Sequence, residues 1–237
     1  MNGLRPGATA GATARPSELQ LLYCYAALAV AALVFAGFAR SYYLRAFLSA
    51  RHLTPLAHVH GVLMTGWIVL FLTQALLIRK RRVAAHRRLG VLGAALAAVI
   101  VMVGSFTVAA AIGRRFPGAG LPRFAHIFVE FDGLSLCVFG ALVCAAIAWR
   151  RRPEVHKRLM LCATVALLPP AVGRIAEHLM PVGDWNLAIA AATTSAFALV
   201  CALADSLRLG RLHPAMARGT ACVLAANLLT QLAQVGD

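Results

Sequence analysis

Long apolar blocks, separated by short breaks that are basic or contain proline, constrain this chain more than any other feature. Seven runs qualify, at residues 19–38, 56–78, 89–112, 124–149, 159–180, 187–207 and 216–235. Each comes near the roughly 20 residues that a helix needs to cross a bilayer. The apolar residues are continuous rather than striped, and only 13% of the chain is charged against 61% hydrophobic, which excludes an ordinary water-soluble globule. The expectation is an all-α integral membrane bundle of seven helices.

A net charge of +15 would point a soluble protein toward nucleic acid, but here the basic residues punctuate the apolar blocks instead of forming a stripe with interleaved aromatics. They read as topology signals. Arg79, Lys80, Arg81, Arg82, Arg87 and Arg88 separate the second and third runs, and Arg150, Arg151, Arg152, Lys157 and Arg158 separate the fourth and fifth. With Arg5, Arg15, Arg208, Arg211 and Arg218, sixteen of the 23 basic residues share one side. The positive-inside rule therefore predicts a cytoplasmic N-terminus and an external C-terminus. Tyr23, Tyr25 and Trp149 at the inner face, with Tyr42, Tyr43 and Trp185 at the outer, agree with this placement.

Residues 1–17 are rich in Gly, Ala, Thr and Pro and are expected to be a disordered cytoplasmic tail, leaving 18–237 as one transmembrane domain. The first apolar run exceeds a usual signal-peptide core, so an uncleaved anchor is expected. The cysteines at 24, 137, 144, 162, 201 and 222 show no CxxC spacing and read as lipophilic fillers. Pro169 and Pro170 near the middle of the fifth run predict a kink, because each removes a backbone donor and crowds the preceding turn.

An internal repeat organises the centre. LAHV at 56–59, a basic loop and HRRLG at 86–90 are echoed by FAHI at 124–127, a basic loop and HKRLM at 156–160. Two copies of a helical hairpin would make a four-helix core with pseudo-twofold symmetry, around which the first, sixth and seventh helices pack. His58 and His126 then occupy equivalent outer positions, and His86 and His156 equivalent inner ones. Two neutral imidazoles on opposite faces of a porphyrin are what haem b requires, and pseudo-symmetric helices supply them. On this scheme His58 and His126 face each other, with His60 as the spare.

The outer level is richer than a haem needs. His58, His60, His126, Glu130, Asp132, Arg174, Glu177 and His178 are all ionisable groups in or at the ends of spans, where such residues are costly and usually functional. His126 and Glu130 are four apart and share a helix face; with His58 or His60 and with His178 they form a nitrogen-rich set suited to zinc, copper or iron. Arg174 is expected to pair with Glu177 or Glu130.

The alternating histidine pattern resembles the cytochrome b561 family, membrane electron carriers whose central helices each donate one histidine. That resemblance implies bound haem b, His58, His126, His86 and His156 as its ligands, and electron transfer with a quinone or small redox donor as partner. The HRRLG and HKRLM motifs with the downstream Arg174 also resemble a family of uncharacterised bacterial multi-pass membrane proteins over residues 56–178, which implies a bacterial inner membrane. The same residues would serve two other classes. One is a metal-dependent membrane hydrolase with Glu130 or Asp132 as catalytic base to a metal-bound water. The other is a non-catalytic transporter or assembly factor built on a buried polar network.

Overall fold

The structure, a computed structural model, describes residues 16–48, 52–115, 133–179 and 185–235. Helix α1 (Pro16–Phe38) runs into a π-helical turn, Ala39–Tyr43, and a short α2 (Arg45–Leu48). There follow α3 (Pro55–Arg79), α4 (Val83–Arg115), α5 (Gly133–Ala148), α6 (Pro153–Val165), α7 (Pro169–Leu179), α8 (Trp185–Leu209) and α9 (Pro214–Val235). No strand occurs among the described residues. Among the described residues five stretches are long and apolar enough to cross a membrane: Glu18–Tyr43, Pro55–Arg79, Val83–Arg114, Pro153–Leu179 and Trp185–Leu209. The chain is thus a helical, multi-pass membrane bundle.

Proline sets the helix starts. Pro16, Pro55, Pro153, Pro169 and Pro214 each open a helix, a position where the missing N–H would have had no intrahelical partner. Thr54 caps α3 by accepting a hydrogen bond from Ala57 N at 3.2 Å. The turns at the basic end need left-handed backbone: Gly210 has φ 74° between α8 and α9, and Arg81 has φ 57° between α3 and α4.

The kink expected at Pro169 and Pro170 is a full interruption. Helix α6 stops at Val165 and α7 starts at Pro169, with Leu167 N and Leu168 N closing tight turns onto Thr164 O and Val165 O. Irregular backbone at this depth survives only where protein or a cavity surrounds it. Accordingly Val165, Ala166 and Leu168 are all buried.

The packing centre differs from the one expected. Most of the broken α6–α7 span is buried, whereas little of the apolar stretch of α3 is fully buried. Helices α1, α5, α8 and α9 all pack on α6 or α7, so this span is the hub and the α3–α4 hairpin lies to one side against α1 and α5. Glycines permit the tightest contacts. A Cβ at Gly37 would collide with the backbone of Ala171, which is how α1 and α7 approach so closely, and one at Gly219 would stand 2.7 Å from Cys162 Sγ between α9 and α6.

His213, in the turn before α9, accepts a hydrogen bond from Ala215 N through Nδ1 at 3.1 Å, acting as an N-cap. Burial first, and then the Arg158 guanidinium, pull this imidazole below its ordinary pKa. A base whose folded pKa is depressed contributes stability that is complete above its unfolded pKa, about 6.5, and is lost as pH falls through the folded value. Stability against thermal unfolding in detergent should therefore fall as pH is lowered below about 6.5. His213→Asn, a cap that does not titrate, should flatten that slope; an unchanged slope would contradict the assignment.

Candidate functional site

The described polar side chains gather at two ends of the bundle. At the basic end, Arg158 of α6 and Asp205 of α8 are both 0% exposed and form a two-point ion pair, Nε to Oδ2 at 2.7 Å and Nη2 to Oδ1 at 3.0 Å. Tyr23 of α1 donates its hydroxyl to Asp205 Oδ1 at 2.8 Å. Arg158 Nη1 donates to both the backbone oxygen and Oε2 of Glu154 at 2.7 Å, and Lys157 Nζ donates to Glu154 Oε1 at 2.8 Å while lying 5.2 Å from the Tyr23 ring. Three helices are therefore tied by one carboxylate and one guanidinium, each with several partners. Only such saturation makes a buried pair tolerable, since each ion alone would cost several kcal/mol to desolvate.

Beside this cluster stand the two inner histidines. His86, near the start of α4, and His156, near the start of α6, lie with ring centroids 6.3 Å apart and planes at 82°. His156 Nδ1 is 2.9 Å from Ala146 O. A carbonyl only accepts, so Nδ1 carries the proton and Nε2 presents its lone pair. His86 Nδ1 is buried without a hydrogen-bond partner, as is Oε1 of Gln74, whose Nε2 donates to His86 O at 3.2 Å.

At the opposite end a cavity of about 320 Å³ opens between α1, α3, α4, α5 and the broken α6–α7 span. His60, Ser41, Thr65, Thr107, Ser135, Thr164 and Arg174 give it polar points in a mostly apolar wall that includes Phe38, Met64, Ile68, Leu136 and Leu167. The π-helical turn shapes its rim by placing Tyr42 and Tyr43 together, their ring centroids 5.3 Å apart. Thr65 donates to Gly61 O at 2.7 Å, so the contact of 3.0 Å between Tyr43 and Thr65 has the phenol as donor. Arg174 Nη1 donates to Pro170 O at 2.9 Å, and its guanidinium lies 4.5 Å from the Phe38 ring centroid.

The expected outer set fares unevenly. His58 is exposed, with its Nδ1 3.4 Å from the Tyr42 hydroxyl, and His60 lines the cavity. Two residues apart on α3, they lie on nearly opposite faces of the helix, so one of them looks inward while the other faces out. Glu177 and His178 are exposed on α7 while Arg174 is half-buried, and the ion pairs among the described residues involve Arg158 and Lys157. His126, Glu130 and Asp132 lie outside the described residues. Among the described residues no three His, Cys, Asp or Glu side chains converge as a metal site, and all six cysteines are free.

Sequence reasoning passed over Asp205 entirely and counted Arg158 only as a loop charge. The signal for Asp205 was present: it is the lone acid in the apolar run at 187–207, and an ionisable group there calls for a partner. Comparison with protein-family models, curated proteins and solved structures gives no match.

Removing one partner of the buried pair leaves an uncompensated ion. Asp205→Ala should cost about 3–5 kcal/mol, and Tyr23→Phe about 1.5–3 kcal/mol for one hydrogen bond to a charged group. The paired replacement Arg158→Leu with Asp205→Leu should recover much of the first loss. Equal unfolding temperatures for wild type and Asp205→Ala in detergent would refute the clamp.

Proposed function

We propose that this chain is a haem-binding membrane electron carrier, with His86 and His156 as the two axial ligands near its basic end. In this reading the bundle has seven spans built on a duplicated hairpin, sits in a bacterial inner membrane, and holds the basic end in the cytoplasm. The observation that carries it is the approach of the two inner histidines, which head the matching HRRLG and HKRLM motifs.

The donor set fits haem better than a chelated free ion. Two imidazole nitrogens bound to one metal at about 2.0–2.1 Å put their ring centroids a little over about 6 Å apart, close to the observed spacing. A free ion would need more protein donors, and no such cluster occurs among the described residues. A porphyrin brings four nitrogens of its own and asks the protein for two. When bound, haem supplies a one-electron couple whose potential follows its axial ligands and their surroundings.

The protein's own contribution is orientation. Ala146 O holds the His156 ring in one tautomer, which also strengthens its free nitrogen as a ligand. Gln74 reaches the His86 backbone from α3 and ties the start of α4 to the neighbouring helix. The Arg158 clamp, two residues beyond His156, fixes the depth of α6.

Protein purified in detergent from haem-supplied cells should show a Soret band that sharpens on dithionite reduction. His156→Ala and His86→Ala should each remove most of it, while His58→Ala should leave it. A colourless preparation, or one whose spectrum survives the His86→Ala, His156→Ala pair, would overturn the proposal.

A further inference from the structure

No aspartate or glutamate occurs between Glu18 and Glu130, so the α3–α4 hairpin brings Arg79, Lys80, Arg81, Arg82, Arg87 and Arg88 to its turn with no acid of its own. The α5–α6 hairpin balances its cations differently. Lys157 and Arg158 both bind Glu154, at 2.8 and 2.7 Å, and Asp205 completes Arg158. Aligned on the histidines of HRRLG and HKRLM, Arg87 corresponds to Lys157, Arg88 corresponds to Arg158, and Ala84 stands where Glu154 does. Helices α4 and α6 begin at matching places, Val83 and Pro153, so the corresponding residues fall on the same turns of the two helices. One pair of cations is met by carboxylates, and the other has no such partner among the described residues. Arg158 is wholly buried, whereas Ala84, Arg87 and Arg88 are exposed.

What lies below these arginines on α4 is apolar and equally exposed. Three, four and seven residues after Arg88 come Val91, Leu92 and Ala95, on the same face, and Val99 and Met102 continue the stripe. From Val91 to Met102 the helix rises about 16 Å, which is one leaflet of a hydrocarbon core about 30 Å thick. Helical side chains lean toward the N-terminus, and long basic ones extend their charge to the interface, so both guanidinium groups reach beyond the stripe to headgroup level. Two cations at the head of an exposed apolar track match the outline of one phospholipid.

We propose that Arg87 and Arg88 hold the phosphate of one anionic phospholipid, whose acyl chain lies along Val91, Leu92, Ala95 and Val99. The lipid supplies from outside the anion that Glu154 supplies from within to Lys157 and Arg158. Guanidinium suits the task, because its planar fork offers parallel N–H donors to two phosphate oxygens. A zwitterionic headgroup would bring a cation of its own against the two arginines. Surplus positive charge also orients helices in a membrane, but that role depends on the number of charges in a turn and not on which arginine carries them. A lipid site depends on the position. It is independent of haem and of the histidine pair.

The test is native mass spectrometry of full-length protein released from neutral detergent and titrated with dioleoyl phosphatidylglycerol or dioleoyl phosphatidylcholine, with Soret absorbance read on the same samples. One phosphatidylglycerol should bind in preference to phosphatidylcholine. Arg87→Gln with Arg88→Gln should weaken that adduct about tenfold or more, the size of the charge-assisted hydrogen bonds lost. Arg150→Gln with Arg151→Gln removes the same charge from the neighbouring turn and should bind as wild type does. Ala84→Glu, at an exposed position, should also weaken the adduct, because its carboxylate would stand three and four residues before the two arginines, as Glu154 stands before its own pair. Equal binding of the two lipids, equal losses in the two arginine pairs, or undiminished binding in Ala84→Glu would overturn the proposal. So would displacement by inorganic phosphate at equal concentration, which would make the ligand a free anion, or loss of the Soret band in the Arg87, Arg88 variant, which would assign these arginines to haem. Colourless protein that still selects phosphatidylglycerol through Arg87 and Arg88 would sink the electron-transfer reading and leave the lipid site standing.

Discussion

The ion pair between Arg158 and Asp205 is the interaction on which the basic end of the bundle depends. Both side chains are wholly buried, so neither charge can be satisfied by water, and every nearby element is arranged to meet that demand. Asp205 draws hydrogen bonds from α6 and α1, and Arg158 reaches back to Glu154 one turn earlier. Wrong registers of α1, α6 or α8 would strand an ion in an apolar interior. Because apolar side chains pack in lipid with little preference for one helix rotation over another, such a pair supplies register where burial of apolar surface cannot.

From that anchor the geometry follows along α6. His156 lies two residues before Arg158, held at the same depth and turned toward α4. Eleven residues beyond Arg158, the span breaks before Pro169, and α7 leaves on a new axis. The close approach of Gly37 to Ala171 then fixes α7 against α1. One interrupted span therefore carries the clamp and an imidazole at one end and the cavity wall at the other. The two candidate sites share a scaffold without sharing a residue.

The sequence disclosed the bilayer class, the helical character of the spans and the interruption at Pro169 and Pro170, because hydrocarbon thickness and proline chemistry act locally. It also brought His86 and His156 forward as matching positions, and these two do stand together. What it could not disclose was rotation. His58 and His60 lie on opposite faces of one helix, and choosing between them needs the rotation of α3 against the helices it packs on. Nor did composition reveal that the α6–α7 span is the hub. It is the least apolar of the long spans among the described residues, because burial in protein tolerates polar and kinked segments that lipid would not. Arg158 was hidden among its basic neighbours, and only the acid 47 residues away distinguishes it.

The claim that His86 and His156 face one another as axial ligands meets its most direct test in electron paramagnetic resonance of the oxidised, detergent-purified protein. Two neutral imidazoles with nearly perpendicular planes should give a low-spin ferric signal of strong anisotropy, absent from His156→Ala. Iron-free protein, or a high-spin signal that the His156→Ala substitution leaves unchanged, would contradict it.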